Sequence, residues 1–202
     1  MIFSKLNVKI VPIGNLDEKF LFDFKEEFQK LLSDAVGIDV DCFFNNPHNP
    51  DKSSEDKVLQ NSIPSTAYNP HMGKYNTRPL FLSGKKIKEY TVRRPKSSAL
   101  LKILLLTDFD IYREGYEGIL FGEAEKGGDI AIVSTANLKD SHKDPNLKKD
   151  EALKEALHVF GYLLGLEACT TPGCAMNPAK DVKDIDIRNK AYCKDCLENL
   201  FS

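Results

Sequence analysis

The chain has 202 residues, 42% of them apolar, which is enough for one compact domain and a small appended subdomain but short for two full domains. Its 28 Lys and Arg against 30 Asp and Glu leave a net charge of −2, which excludes a global field favouring nucleic acid or an anionic membrane. The opening MIFSKLNVKIVPIG lacks the apolar stretch and cleavage site of a secretory signal, and no run has the length of a membrane span, so a soluble cytoplasmic protein is expected.

Leu6–Ile13 alternates apolar and polar positions up to Gly14, the pattern of a half-buried strand. A helix follows, capped by Asn15 or Asp17, with Phe20, Leu21, Phe24, Phe28, Leu31 and Leu32 at three- and four-residue steps before Gly37. Ile38–Phe44 reads as a second strand, so the opening is β-α-β with a parallel pair and a crossover helix. Residues 45–77, rich in Asn, Pro, Ser and Asp, read as a long irregular excursion. From Gly84 to Lys96 a basic strip of Lys85, Lys86, Lys88, Arg93, Arg94 and Lys96 reads as solvated surface, with contact to a phosphate-bearing partner as the alternative. Lys102–Thr107 has the continuous apolar run of a central strand covered on both faces, and Ile119–Glu123 with Ile130–Thr135 reads as a hairpin. After a polar loop at Lys139–Lys149, an amphipathic helix is predicted from about Asp150 to Leu164, ended by Gly165.

Four of the five cysteines fall in the tail, as Cys169-x4-Cys174 and, eighteen residues on, Cys193-x2-Cys196. Each short spacing turns two thiolates toward one point, and the gap lets the pairs converge on a tetrahedral ion, for which zinc is the best fit. Such a closed site gives stability rather than chemistry, and it would hold a tail that has few large apolar residues. Disulfides, free thiols and an iron–sulfur cluster are the alternatives, though the spacing does not match common ferredoxin runs. Cys42, inside IDVDCFF, reads as a small core residue.

The predicted helix and its exit run Glu155-Ala-Leu-His158-Val159-Phe160-Gly161-Tyr162-Leu163-Leu164-Gly165-Leu166-Glu167-Ala168-Cys169. A metzincin zinc site needs His-Glu-x-x-His-x-x-Gly-x-x-His, and here only His158 and Gly165 match. Val159 stands where the general base belongs, and a hydrocarbon cannot move a proton. Tyr162 and Ala168 replace the second and third histidines, so no catalytic residues are assigned and the standard zinc site is expected to be lost. One rescue route is a Glu155–His158–Tyr162 metal site, since these three share a helix face; another brings Glu167 inward.

Cys169, Cys174, Met176, Cys193 and Cys196 stand in the arrangement of the archaemetzincin family, which the chain resembles also in Ala67-Tyr68-Asn69-Pro70 with Tyr75, in Thr107–Tyr112, in Leu120–Ala124 and in Ile132–Thr135. The resemblance implies an α+β fold: a metzincin-like mixed β-sheet with a crossover helix and an active-site helix over residues 1–168, and a small four-cysteine zinc-binding subdomain over 169–202. It also implies one structural zinc ion on Cys169, Cys174, Cys193 and Cys196, a Met-turn role for Met176, and descent from zinc-dependent peptidases. In metzincin folds an edge strand above the cleft aligns extended substrates, and Ile119, Leu120, Phe121, Gly122 and Glu123 are the candidates here.

The leading expectation is thus a non-catalytic binder of a peptide or protein segment in the cleft. A metallopeptidase with an unorthodox site is the alternative. No Ser/His/Asp or Cys/His set is visible, because His48, His71 and His142 lie in polar stretches. Nucleic-acid binding through the basic strip is a third reading, with a steep salt dependence as its signature.

Overall fold

The computed structural model describes residues 5–44, 65–92, 100–138 and 145–200. Strand β1 (Lys5–Ile13) lies between β2 (Asp39–Phe43) and β5 (Leu100–Thr107), parallel to both, and β8 (Ile130–Ser134) runs parallel along the far side of β5. Strand β7 (Gly122–Ala124) closes the row antiparallel to β8, giving a mixed sheet in the order β2-β1-β5-β8-β7. A second, small sheet joins β3 (Tyr68–Asn69), β4 (Lys74–Asn76) and β6 (Ile111–Tyr112). The β-α-β opening and the central strand therefore form as the patterning predicts, and the hairpin forms with a later, shorter first strand.

Both faces of the sheet are covered. Helix α1 (Glu18–Val36) starts where the Asp17 carboxylate accepts the Phe20 amide at 2.9 Å and stops at Gly37. Phe20, Phe24 and Phe28 stack along it, and Phe28 meets Phe160 edge-on at 5.1 Å, which joins α1 to α3 (Pro145–Leu163) on one face of the sheet. Full burial of Phe24, Phe28 and Phe160 contributes roughly 1.5–3 kcal/mol each by transfer from water. Across the sheet, Leu80, Phe81 and Ile87 of α2 (Thr77–Val92) cover Val11, Ile103, Leu105, Ile130 and Ile132.

Away from the edge strand β7, the structure departs from the sequence reading in three places. Helix α2 replaces the anticipated end of the irregular excursion and most of the basic strip. Asn76 caps it by accepting the Arg78 amide at 2.9 Å, and Pro79 sits in the first turn, where its missing N–H costs nothing. Two lysines of the strip are neutralised: Lys85 bonds Glu125 at 2.8 Å and Lys88 pairs with Asp129. Residues 45–64, Arg93, Arg94 and Lys96 lie outside the described residues. Helix α3 begins at Pro145 rather than near Asp150, again with proline at a first helical position. The third departure concerns the tail, with α4 (Val182–Asp186) and α5 (Lys194–Leu200), which inserts Met176, Ile185 and Tyr192 into the same core as α1 and α3. Apolar packing therefore supplements any metal in holding residues 169–200.

Among the described residues, no helix is long and apolar enough to cross a membrane.

Candidate functional site

Two sites adjoin α3, and the tail serves both. In the first, the sulfurs of Cys169, Cys174, Cys193 and Cys196 all lie within 4.8 Å of one another. Cys169 and Cys193 Sγ are 3.7 Å apart, and Cys174 and Cys196 Sγ are 3.8 Å apart. Four sulfurs held at about 2.3 Å from a single zinc ion in a tetrahedron would be about 3.8 Å apart, which these two pairs match. Backbone amides support the negative charge: Thr171 donates to Cys169 Sγ, and Met176 and Cys193 donate to Cys174 Sγ, each at 3.4 Å. The backbone amide of Cys196 is the main influence holding the Cys193 thiol down to about 7, whereas burial pushes Cys174 and Cys196 up. All five cysteines are unbridged in this arrangement.

The second site is a cleft of about 430 Å³ between β7 and α3. His158, Val159 and Tyr162 line it, together with Glu155 and Glu167. Ala168 is exposed and does not join them. The chain turns there at a Schellman motif, in which the Leu166 amide reaches the Gly161 carbonyl at 2.9 Å and the Gly165 amide the Tyr162 carbonyl at 3.0 Å. Gly165 takes φ +93° in this turn, Leu166 goes into the core, and Glu167 is left facing the cleft.

Each carboxylate in the cleft already has a cation. Arg188, 2% exposed, donates from Nη1 to Glu155 Oε2 at 2.7 Å; Arg113 lies 3.5 Å from Glu123; Lys126 pairs with Glu167. Glu155 and Glu167, on which the two rescue routes rest, are thus each paired with a nitrogen cation in this structure. Among the described residues, no set of three His, Cys, Asp or Glu groups gathers in the cleft. Burial raises the Tyr162 phenol above its ordinary value, so it stays protonated at neutral pH, its ring edge-on to His158 at 5.0 Å.

His158 is a packed, hydrogen-bonded histidine. Its Nδ1–H donates to the Ala175 carbonyl at 2.9 Å, and burial lowers its pKa from 6.5 while the Glu155 carboxylate pulls the other way. Since the unfolded chain takes up this proton first as pH falls, the stabilisation is complete above about pH 6.5 and declines below it. Urea unfolding of the protein should therefore lose stability on acidification by up to about 1.4 kcal/mol per pH unit more than His158→Asn, which keeps a donor for Ala175 but cannot titrate. Equal slopes for the two proteins would show that His158 is not the titrating group.

The predicted edge strand is shorter than expected and begins later. Ile119, Leu120 and Phe121 precede β7, with Leu120 bridged to Ile111 and Phe121 buried in the core; Gly122 and Glu123 belong to the strand, which runs on to Ala124. The Ser134 amide donates to the Phe121 carbonyl at 2.7 Å, and Glu123 stands opposite Ile132. Antiparallel alternation then turns the backbone groups of Phe121 and Glu123 toward β8, and those of Gly122 and Ala124 away from it, to a margin that no strand covers among the described residues. Sequence reasoning missed Arg188, Arg113 and Lys126. No local spacing marks them, since Arg188 and its partner Glu155 are 33 positions apart.

The model of peptidase family M54 matches residues 7–201. An archaemetzincin from Methanocaldococcus jannaschii is 32% identical over 200 residues, 96% of this chain and 93% of that protein. One from Pyrococcus furiosus is 36% identical over 104 residues, a match spanning 50% of this chain and 54% of that protein. Among solved structures, an archaemetzincin from Methanopyrus kandleri is similar with a TM-score of 0.71 at 23% identity, covering 98% of this chain and 94% of that one. A zinc-dependent peptidase from Methanocorpusculum labreanum gives 0.73 at 21% identity, over 96% and 99%. The structural likenesses establish the fold, and the family match takes in the tail cysteines as well as the α3 helix. The chain belongs to peptidase family M54, the archaemetzincins, with a four-cysteine site suited to zinc.

Proposed function

We propose that this member of the family binds an extended peptide or protein segment in the cleft without hydrolysing it. The observation that supports the reading is the pairing, in one cleft, of an open strand edge with a helix whose proton-transfer position is the hydrocarbon Val159. An incoming strand would exchange backbone hydrogen bonds with Gly122 and Ala124, and its side chains would meet Ile119, Tyr116 and Val159. Hydrolysis would further need a base to deprotonate water. Glu155, the nearest carboxylate on α3, is already engaged by the Arg188 guanidinium at 2.7 Å.

A labelled peptide library equilibrated with the zinc-loaded protein tests this directly. Bound sequences should stay intact, and Ala124→Pro should weaken their binding by about tenfold, because proline removes an outward N–H and leaves the pairing with β8 in place. Cleavage that a chelator abolishes would overturn the non-hydrolytic reading. Peptide binding unaffected by Ala124→Pro would remove β7 from it.

A further inference from the structure

The eighteen residues between Cys174 and Cys193 leave the four-cysteine site, line the cleft and return to the cysteines. Along the way they contact one face of α3 turn by turn. Lys154 Nζ donates to the Asp186 carbonyl at 3.0 Å, and Arg188 donates to Glu155 at 2.7 Å. Tyr192 Oη donates to the Leu157 carbonyl at 2.7 Å, and the Ala175 carbonyl accepts from His158 at 2.9 Å. Gly161 lacks a Cβ where Met176 Sδ sits, only 2.1 Å from where that carbon would be. Three of these tail residues, Ala175, Met176 and Tyr192, lie within two positions of a cysteine. Pro178, Ala179 and Arg188 from the same segment form part of the cleft lining.

The segment is also closed on itself by short bonds: Ala175 N to Ala191 O at 2.9 Å, Asn189 N to Gly173 O at 2.7 Å, and Cys169 N to Met176 O at 3.0 Å. A loop tied at both ends to one ion has little freedom, so its far side is placed as firmly as its anchors. Without a cation at the four sulfurs, the two ends of the loop lose their common tie.

We propose that zinc at the four cysteines positions this segment of the cleft lining, so that metal loading sets the shape of the cleft and the two sites are thermodynamically linked. Linkage is reciprocal, so a change confined to the cleft must alter zinc affinity even where it touches no sulfur.

Hydrogen exchange on the full chain, zinc-loaded and chelator-stripped, tests the first half. Stripping should raise exchange about tenfold or more in both 174–192 and the 154–162 turns of α3, while α1 and β1 are unchanged. Loss confined to 169–200, or unfolding of the whole chain, would overturn the proposal. Arg188→Met tests the second half: competition with a chromophoric chelator should show zinc held about five- to tenfold more weakly than by the unaltered chain. Ile103→Val, in the core on the other side of the sheet, should leave zinc affinity unaltered. Equal zinc affinity for Arg188→Met and the unaltered chain would overturn the linkage.

Discussion

Glu155→Ala should destabilise the protein by about 3–5 kcal/mol, the largest effect expected of a single change in the cleft. Arg188 is 2% exposed and donates to Glu155 at 2.7 Å, while its Nε is buried with no partner among the described residues. Removing the carboxylate leaves a guanidinium in a low-dielectric setting with its charge uncompensated, a cost far above that of a surface ion pair. Replacing both residues, as Glu155→Leu with Arg188→Met, should recover most of the loss, since an apolar pair of similar volume needs no compensation. Denaturant unfolding of both single variants and the double variant checks this as a cycle. A loss under about 1 kcal/mol for Glu155→Ala would mean that water reaches the pair.

Cys174→Ser should reduce zinc content from about one ion per chain to none, with loss of order across the tail. Cys174 is 3% exposed and accepts two backbone amides, so a hydroxyl in its place offers a weaker ligand and a poorer acceptor in the same cage. Cys42→Ser is the control. Cys42 is buried in β2, outside the four-sulfur group, and burial pushes its thiol up to about 12, so it should bind no metal and its replacement should leave zinc content unaltered. Elemental analysis of the two purified variants decides the matter. Retained zinc in Cys174→Ser would show that three thiolates suffice.

Much of the fold could be read because strands and helices announce their own periods. The alternation of Leu6–Ile13, the three- and four-residue steps from Phe20 to Leu32 and the apolar run in β5 each reflect contacts made within one element and its immediate neighbours. Helix α2 escaped because its buried face contains Gly84, set against Ile130, where a pattern search expects a large apolar residue, and because its lysines suggest surface. The four cysteines were legible for a chemical reason: metal ligands are few in kind, and their spacing is fixed by the reach of a short loop. Arg188 was not, since a buried cation is defined by a partner brought to it by tertiary structure. The cleft thus shows its departures from the metzincin motif in sequence, at Val159 and Tyr162, while its ion pairs form only in the fold.

The two margins of the main sheet differ in a way that bears on self-association. An unpaired margin invites another copy of the chain to add a strand, and native proteins discourage this with charge. At β2 that defence is present: Asp39 and Asp41 lie 3.5 and 3.8 Å from Lys5 on the neighbouring strand, and any copy approaching in register would bring carboxylate against carboxylate. At β7 the margin is only three residues long and adjoins the cleft beside α3, so it offers a second sheet little backbone to pair with. Charge at one margin and brevity at the other both work against strand addition by another copy.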